Sequence, residues 1–301
     1  MFKHLFIPLD GSRLAEAALP PAAWLAQTLG ASLTLIHVIE RAAPVEVHGE
    51  RHLTNPEEAA AYLDEVAARA FPPGVRVLRH VHTDEVGNVA RSLFEHSDEL
   101  RPDLIVMCAH GTGGLRRWAF GSIAQQVIAL GTTPVLLIHP GKDSAQKPFA
   151  CRQLLAPLDG SPEHEQGLCF AAGLAKPCGA AVHLLAVVPT PGTLSGPHAA
   201  SGRLLPGATA AVLDMAEAGM EDYLNRCVAD LRSQGLTLTA EVARGDPAKS
   251  IIRAAEQHGA DIIILSTHRK AGLDAFWAGS VAPRVARRTH TPLLLVPLSA
   301  E

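Results

Sequence analysis

The stretch DLIVMCAHGTGGLRRWAFGS (Asp103–Ser122) decides the fold. Its first six residues form an apolar run of the kind found in strands buried on both faces. A glycine-rich bend follows at Gly111, Gly113 and Gly114, and Gly121-Ser122 then opens a helical pattern, SIAQQVIAL (Ser122–Leu130). A strand end, a bend and a fresh helix N-terminus gather unpaired backbone N–H groups at one point. Glycine lets the backbone come close, and the helix end adds partial positive charge. That combination suits a phosphate, although a plain strand-to-helix connection uses the same glycines. Ser122 reads as the helix N-cap, with Gln125 completing a capping box.

Working outward, the chain contains itself twice. Ile7-Pro8-Leu9-Asp10-Gly11-Ser12 returns as Ala156-Pro157-Leu158-Asp159-Gly160-Ser161, 149 residues later. From Gly87/Gly245 through Asp103/Asp261, Gly121/Gly279, Ser122/Ser280 and Pro134/Pro292 the shift is 158. The second half therefore carries extra residues in its middle, in the Gly/Pro/Ser-rich stretch Thr190–Ala210, which reads as a loop over the crevice or a disordered surface segment. A period this long means a duplicated domain, not a solenoid. The polar segment GKDSAQKP (Gly141–Pro148) places the boundary so that domain 1 spans 1–146 and domain 2 spans 147–301.

Each half alternates strands and helices. In the first, KHLFIPL, SLTLIHV, VRVLRHVH, DLIVMC and PVLLIHP read as five buried strands. Asn55 caps a helix with Pro56 at its first position. Pro20-Pro21 makes the first helix kink or start late. Ligands in such sheets sit beyond the carboxyl ends of the strands, where strand order reverses. Only strands one and four run straight into motif-like loops, so they are expected to be neighbours. The expected fold is α/β: two similar open five-stranded parallel sheets, order 3-2-1-4-5, with helices on both faces.

Composition excludes several classes. A net charge of −4 and 4% aromatic residues argue against a nucleic-acid partner. No apolar run reaches membrane-spanning length, so no membrane partner is expected. Five cysteines without metal spacing read as free thiols in a reducing cytoplasm. There is no P-loop, no G-x-G-x-x-G after strand one and no G-x-S-x-G elbow. No second acidic residue in the motif loops holds a catalytic Mg²⁺ beside Asp10. No catalytic residue and no protein-held metal are assigned.

At the crevice, Asp10 is either a carboxylate for ribose hydroxyls or the former of the D-G-S turn. Val38 ends strand two, where its backbone can face a purine edge or simply join the core. Arg116 and Arg117 are loop cations within reach of phosphates or solvent, and His110 and His268 match between the halves.

Together these residues resemble the universal stress protein family: a strand ending in D-G-S, a late G-D-x-A turn before a helix, a glycine pattern ending in G-S after strand four, and a P-V-L-L strand. The resemblance covers nearly all of both halves, as in a tandem member. It implies the HUP-type, Rossmann-like fold and an adenine nucleotide as ligand, ATP with Mg²⁺ held through its phosphates, hydrolysed slowly or not at all. By position it puts Pro8, Asp10 and Val38 at ribose and adenine, and Gly111, Thr112, Gly113, Gly121, Ser122 and Ile123 at the phosphates. The first glycine of the family pattern falls on Cys108. In the second half Pro157, Asp159, Val187, Gly279 and Ser280 match, but Ser266 and Arg269 replace both early glycines and Pro283 removes a donor from the next helix. The second site is therefore expected to be weaker or empty, or to use Arg269 as a charge clamp on a shorter anion. The resemblance also implies that the last strands pair, Val135–Ile138 with Leu293–Val296, leaving a homodimer possible. The expected role is a cytoplasmic stress-response protein; a nucleotide-free interaction scaffold and a nucleotide phosphohydrolase or transferase are the alternatives.

Overall fold

The computed structural model describes residues 2–47, 50–109, 121–140, 149–194, 200, 204–267 and 281–298. In chain order the elements of the first half are β1 (His4–Pro8), α1 (Leu19–Leu29), β2 (Ser32–Glu40), β3 (Glu46–Val47), β4 (Glu50–Arg51), α2 (Pro56–Ala70), β5 (Val77–Val86), α3 (Val89–Leu100), β6 (Leu104–Cys108), α4 (Ser122–Leu130) and β7 (Val135–Ile138). Those of the second are β8 (Gln153–Leu158), α5 (Gln166–Cys178), β9 (Ala181–Val188), α6 (Pro206–Ser233), β10 (Thr237–Arg244), α7 (Pro247–Gln257), β11 (Ile262–Thr267), α8 (Val281–Ala286) and β12 (Leu293–Pro297).

Two compact units emerge. Unit 1 is Met1–Ala150 with Thr267–Ala278 and His290–Glu301; unit 2 is Cys151–Ser266 with Gly279–Thr289. In unit 1 the strand order is β5-β2-β1-β6-β7, all parallel, which is the expected 3-2-1-4-5 once the β3–β4 hairpin is set aside. The last strand of the chain, β12, also belongs to unit 1. It runs antiparallel to β7 with Leu293 opposite Leu137 and Leu295 opposite Val135, the expected pairing of last strands. In unit 2 the parallel order is β10-β9-β8-β11.

The local chemistry explains the elements. All five residues of β6, and all five of β12, are buried, as strands covered on both faces require. The fully buried Phe6, Ile7, Leu33, Leu35 and Ile36 sit on β1 and β2 at the middle of the unit 1 sheet. Each such side chain contributes about 1.5–3 kcal/mol by leaving water. Pro20 and Pro21 fall at the first positions of α1, which starts late behind a 3₁₀ turn, Ala15–Ala18. Asn55 caps α2 by accepting hydrogen bonds from the amides of Glu57 (2.8 Å) and Glu58 (3.2 Å).

Asp103 and Asp261 do the same work in the two repeats. Asp103 Oδ2 accepts from the amides of Lys3 (2.7 Å) and His4 (2.9 Å), fastening the start of β1 to that of β6. Asp261 Oδ2 accepts from Arg152 (2.7 Å) and Gln153 (2.9 Å).

Three expectations are corrected. Unit 2 holds four parallel strands and not five, because the expected fifth, β12, belongs to unit 1, where it runs antiparallel to β7. Thr190–Ala210 is not wholly a loop: its last residues, from Pro206, are the first turn of the 28-residue α6. Pro206 takes the N1 position, where its missing N–H costs nothing. Ser122 is not an N-cap. Gly121 is, with φ −59° and ψ 137°, and Gln125 N donates to Gly121 O at 3.0 Å. Glycine tolerates the cap position without a side-chain bond.

Candidate functional site

Three strand ends of unit 1 and two helix starts enclose a cavity of about 420 Å³. β1 contributes Pro8 and the following Asp10, β2 contributes Val38 and Glu40, and β6 contributes Met107 and Cys108. Asn88 and Val89 come from the start of α3, Ser122 and Ile123 from the start of α4. Pro8, Asp10, Val38, Ser122 and Ile123, singled out from the sequence, thus share one hollow. Its volume suits a small-molecule ligand. Gly121 is buried next to Ser122 as the α4 cap. Gly111, Thr112, Gly113, Gly279 and Ser280, with Arg116, Arg117 and Arg269, lie outside the described residues.

The turn after β1 is built by Asp10. Its Oδ1 accepts from the Ser12 amide at 2.9 Å and from the Ser12 hydroxyl at 2.7 Å. The Ser12 hydroxyl oxygen in turn accepts from the Ala15 amide at 3.2 Å. Gly11 between them has φ +90°, and a Cβ there would lie 2.8 Å from Leu53 Cδ1. Asp10 thus forms the turn and also lines the cavity. The loop carrying Leu53 is held by His37, whose ring nitrogens lie 2.8 Å from Leu9 O and 2.9 Å from Leu53 O.

Cys108 does not fill the hollow. It is a buried wall residue. Burial first, and the Asp10 charge second, push its thiol well above the usual range, so it stays neutral. His52 also lines the cavity, and its buried Nδ1 has no hydrogen-bond partner among the described residues. Desolvation holds its imidazole below the ordinary value, against the opposing pull of Glu40. An orphaned polar atom at the edge of a cavity is what a polar ligand would satisfy. The hydroxyl of Ser122 is exposed at the mouth, at the positive end of α4.

Two contributors were not legible beforehand. The β2–β5 register breaks between Val38 and Glu40, so a bulge loosens the backbone ladder where the cavity begins. Asn88 both caps α3, accepting from Arg91 N at 2.9 Å, and donates from Nδ2 to Gln126 Oε1 at 3.3 Å. The only sequence signal for it was the family-like G-D-x-A turn, here Gly87-Asn88-Val89-Ala90.

The matching positions of unit 2 are occupied by the protein itself. Asp159 Oδ2 lies 2.6 Å from His164 Nδ1, and its Oδ1 accepts from Ser161 N at 3.0 Å. Ser266, where unit 1 has Cys108, donates to His164 O at 2.8 Å and accepts from Gly167 N at 3.1 Å. Met220 of α6 crowds the Asp159-Gly160 turn so closely that a Cβ on Gly160 would lie 2.5 Å from its methyl. Pro157 and Val187 are half-buried at the ends of β8 and β9.

A doubly represented Rossmann-like α/β unit with a crevice at the strand ends is the arrangement of nucleotide-type folds. The sequence model of the universal stress protein family matches this chain twice, over residues 1–139 and 151–297, and the chain belongs to that family. A universal stress protein of Mycolicibacterium smegmatis is 26% identical over 97% of this chain and 96% of its own length. One from Methanocaldococcus jannaschii is 30% identical over 48% of this chain and 81% of its own. Among solved structures, a universal stress protein from Archaeoglobus fulgidus superposes with a TM-score of 0.69 at 16% identity, covering 98% of both chains. That likeness concerns the fold alone. No described helix is long and apolar enough to cross a membrane.

Proposed function

We propose that this protein binds an adenine nucleotide, ATP in the first instance, in unit 1, and acts as a regulatory stress-response protein and not as a fast enzyme. The observation that carries this reading is the open cavity that brings Asp10, Val38 and the α4 N-terminus together. Ribose hydroxyls would donate to Asp10, the purine edge would meet the loosened backbone at Val38, and the phosphates would lie toward Gly121, Ser122 and Ile123. The bend at Gly111, Thr112 and Gly113 would supply further amides, as the family resemblance implies. A Mg²⁺ ion would be held by the phosphates. Among the described residues, no metal-holding group of three side chains includes Asp10, which fits binding without efficient hydrolysis.

In the proposed division of labour, the repeats 1–146 and 147–301 differ. The second repeat ties up Asp159, Ser266 and Asp246 with its own groups, so its site at Pro157, Asp159, Val187, Gly279 and Ser280 would be weak or empty. The five free thiols fit a reducing cytoplasm. Calorimetry with ATP tests the reading: about one nucleotide per chain is expected. No binding at millimolar ATP, with no nucleotide released from gently purified protein, would leave a duplicated interaction scaffold. Rapid ATP turnover would point to the phosphohydrolase alternative.

A further inference from the structure

Away from the cavity, three imidazoles converge in unit 1. His80 and His82 stand two residues apart on β5 and so on one face of that strand. His96 is buried on α3, with its ring centroid 4.7 Å from that of His80 and 4.9 Å from that of His82. One ring nitrogen from each residue lies within 4.8 Å of the other two.

The hydrogen-bond pattern suits a cation. His96 Nδ1 sits 2.8 Å from the carbonyl oxygen of Ser92, one turn back on α3. A carbonyl only accepts, so Nδ1 carries the hydrogen, and in the neutral ring Nε2 is the atom with the lone pair. A backbone carbonyl that accepts from the far ring nitrogen in this way is the usual second shell of a metal-bound histidine. His80 Nε2 is buried and has no hydrogen-bond partner among the described residues. The cluster holds no carboxylate; Glu99 acts on His80 through space only. Three imidazoles this close repel one another when charged, and burial opposes charge further. Burial first, and the neighbouring imidazoles second, hold His80 below its ordinary value, and the geometry offers one ring nitrogen from each of the three. Packing alone gives no reason for a fold to keep a buried donor unpaired among two like neighbours.

We infer that His80, His82 and His96 form a binding site for one divalent transition-metal ion of the zinc class. Three imidazole nitrogens select Zn²⁺, Co²⁺ or Ni²⁺ over Mg²⁺ or Ca²⁺, which prefer oxygen. Tetrahedral zinc with bonds of about 2.1 Å needs nitrogens about 3.4 Å apart. From 4.8 Å the nitrogens must close by about 1.4 Å, a movement open to the half-buried His80 and His82 side chains on the outer strand β5, turning toward buried His96. The fourth position is left to water. Bound metal would pin α3 to β5, and α3 starts at the cavity wall. The site does not depend on the nucleotide reading.

A second cluster, His183, Glu241 and His258 in unit 2, already sets both imidazoles against a carboxylate, at 3.4 and 3.6 Å. The test leaves it intact throughout. Metal-free full-length protein is titrated with Co²⁺, read by visible absorption, and with Zn²⁺, read by calorimetry. Wild type should take up one more equivalent per chain than His96→Gln, and that equivalent should also raise the melting temperature. His82→Gln, at a half-buried position, should weaken the same equivalent at least tenfold. Equal stoichiometry and affinity in wild type and folded His82→Gln would overturn the proposal, as would failure of wild type to bind either ion at micromolar concentration.

Discussion

The Arg284 guanidinium donates a hydrogen bond to the Asp246 carboxylate at the positions where, 158 residues earlier, Gln126 accepts one from Asn88. One contact, between the cap of one helix and the next, is neutral in unit 1 and charged in unit 2. Asp246 still caps α7, accepting from Lys249 N at 3.0 Å. The Arg284 hydrogen bond is the main cause that holds its carboxyl below the ordinary 3.8. A carboxyl depressed in the folded state stabilises above its unfolded value and ceases to do so as pH falls through the folded one. Arg284→Gln should therefore cost about 0.5–1 kcal/mol at neutral pH, limited by the exposure of the guanidinium. That difference should shrink below about pH 4 and vanish in stronger acid. Urea unfolding of both proteins from pH 7 down to pH 2.5 measures it. A difference that stays constant across the range would show that the loss is not electrostatic.

Asp10 separates shape from charge. Asp10→Asn keeps an oxygen for the Ser12 amide and hydroxyl, so stability should stay within about 0.5 kcal/mol of wild type. Asp10→Ala loses both bonds and should cost about 1–2 kcal/mol. If the carboxylate meets ribose hydroxyls, Asp10→Asn should nonetheless weaken ATP about tenfold, since hydrogen bonds to charged groups are worth roughly 1.5–3 kcal/mol. Calorimetry beside thermal melting distinguishes the two roles. Unchanged affinity in Asp10→Asn would reduce the residue to a turn-former.

Much of this was legible because the sequence is written twice. The match of Asp10 with Asp159 and of Gly121 with Gly279 located the strand ends, and continuous runs such as LIVMC located the buried strands. Strand order followed from the two loops at β1 and β6. What the pattern could not carry were contacts made by position in space. Nothing around Ser266 announces that its hydroxyl reaches His164 O across the fold. Nothing near Val38 signals the β2–β5 bulge, because its neighbours are apolar throughout. Ser122 failed as a cap because Gly121 could take that position without a side chain, and serine signals alone do not choose between adjacent residues. His80, His82 and His96 carry no recognisable metal spacing in sequence, because two lie on a strand and the third on a helix fourteen residues on.

Gly11 has no substitute. Its φ of +90° disfavours any L side chain, and the nearest atom to a new Cβ belongs to Leu53, at 2.8 Å. Gly11→Ala should cost about 1–3 kcal/mol through backbone strain. The Leu53 side chain must shift to make room, and it belongs to the loop held by His37 at the cavity, so ATP affinity should fall as well. Gly30→Ala is the control: φ is +63° but no atom lies within 4 Å, so only the backbone term applies. Melting curves for both should rank Gly11→Ala as the less stable.

Cys151 and Cys178 offer a pH-dependent readout in unit 2. The Cys151 thiol donates to Cys178, and that hydrogen bond lowers the Cys178 pKa, outweighing the opposing effect of burial. Cys151, fully buried, is pushed up by the same contact and by desolvation. The thiolate is the nucleophile, so Cys178 should be alkylated by iodoacetamide below pH 9, while buried Cys108 and Cys151 stay unmodified in the folded protein. Cys151→Ala removes the donor and leaves the burial. The midpoint of the Cys178 rate profile should then rise above 9.0, the ordinary value from which it is lowered. Peptide mapping after timed alkylation at several pH values reads this site by site, with exposed Cys169 as the internal reference. A Cys178 profile unmoved by Cys151→Ala would mean that the hydrogen bond does not form in solution.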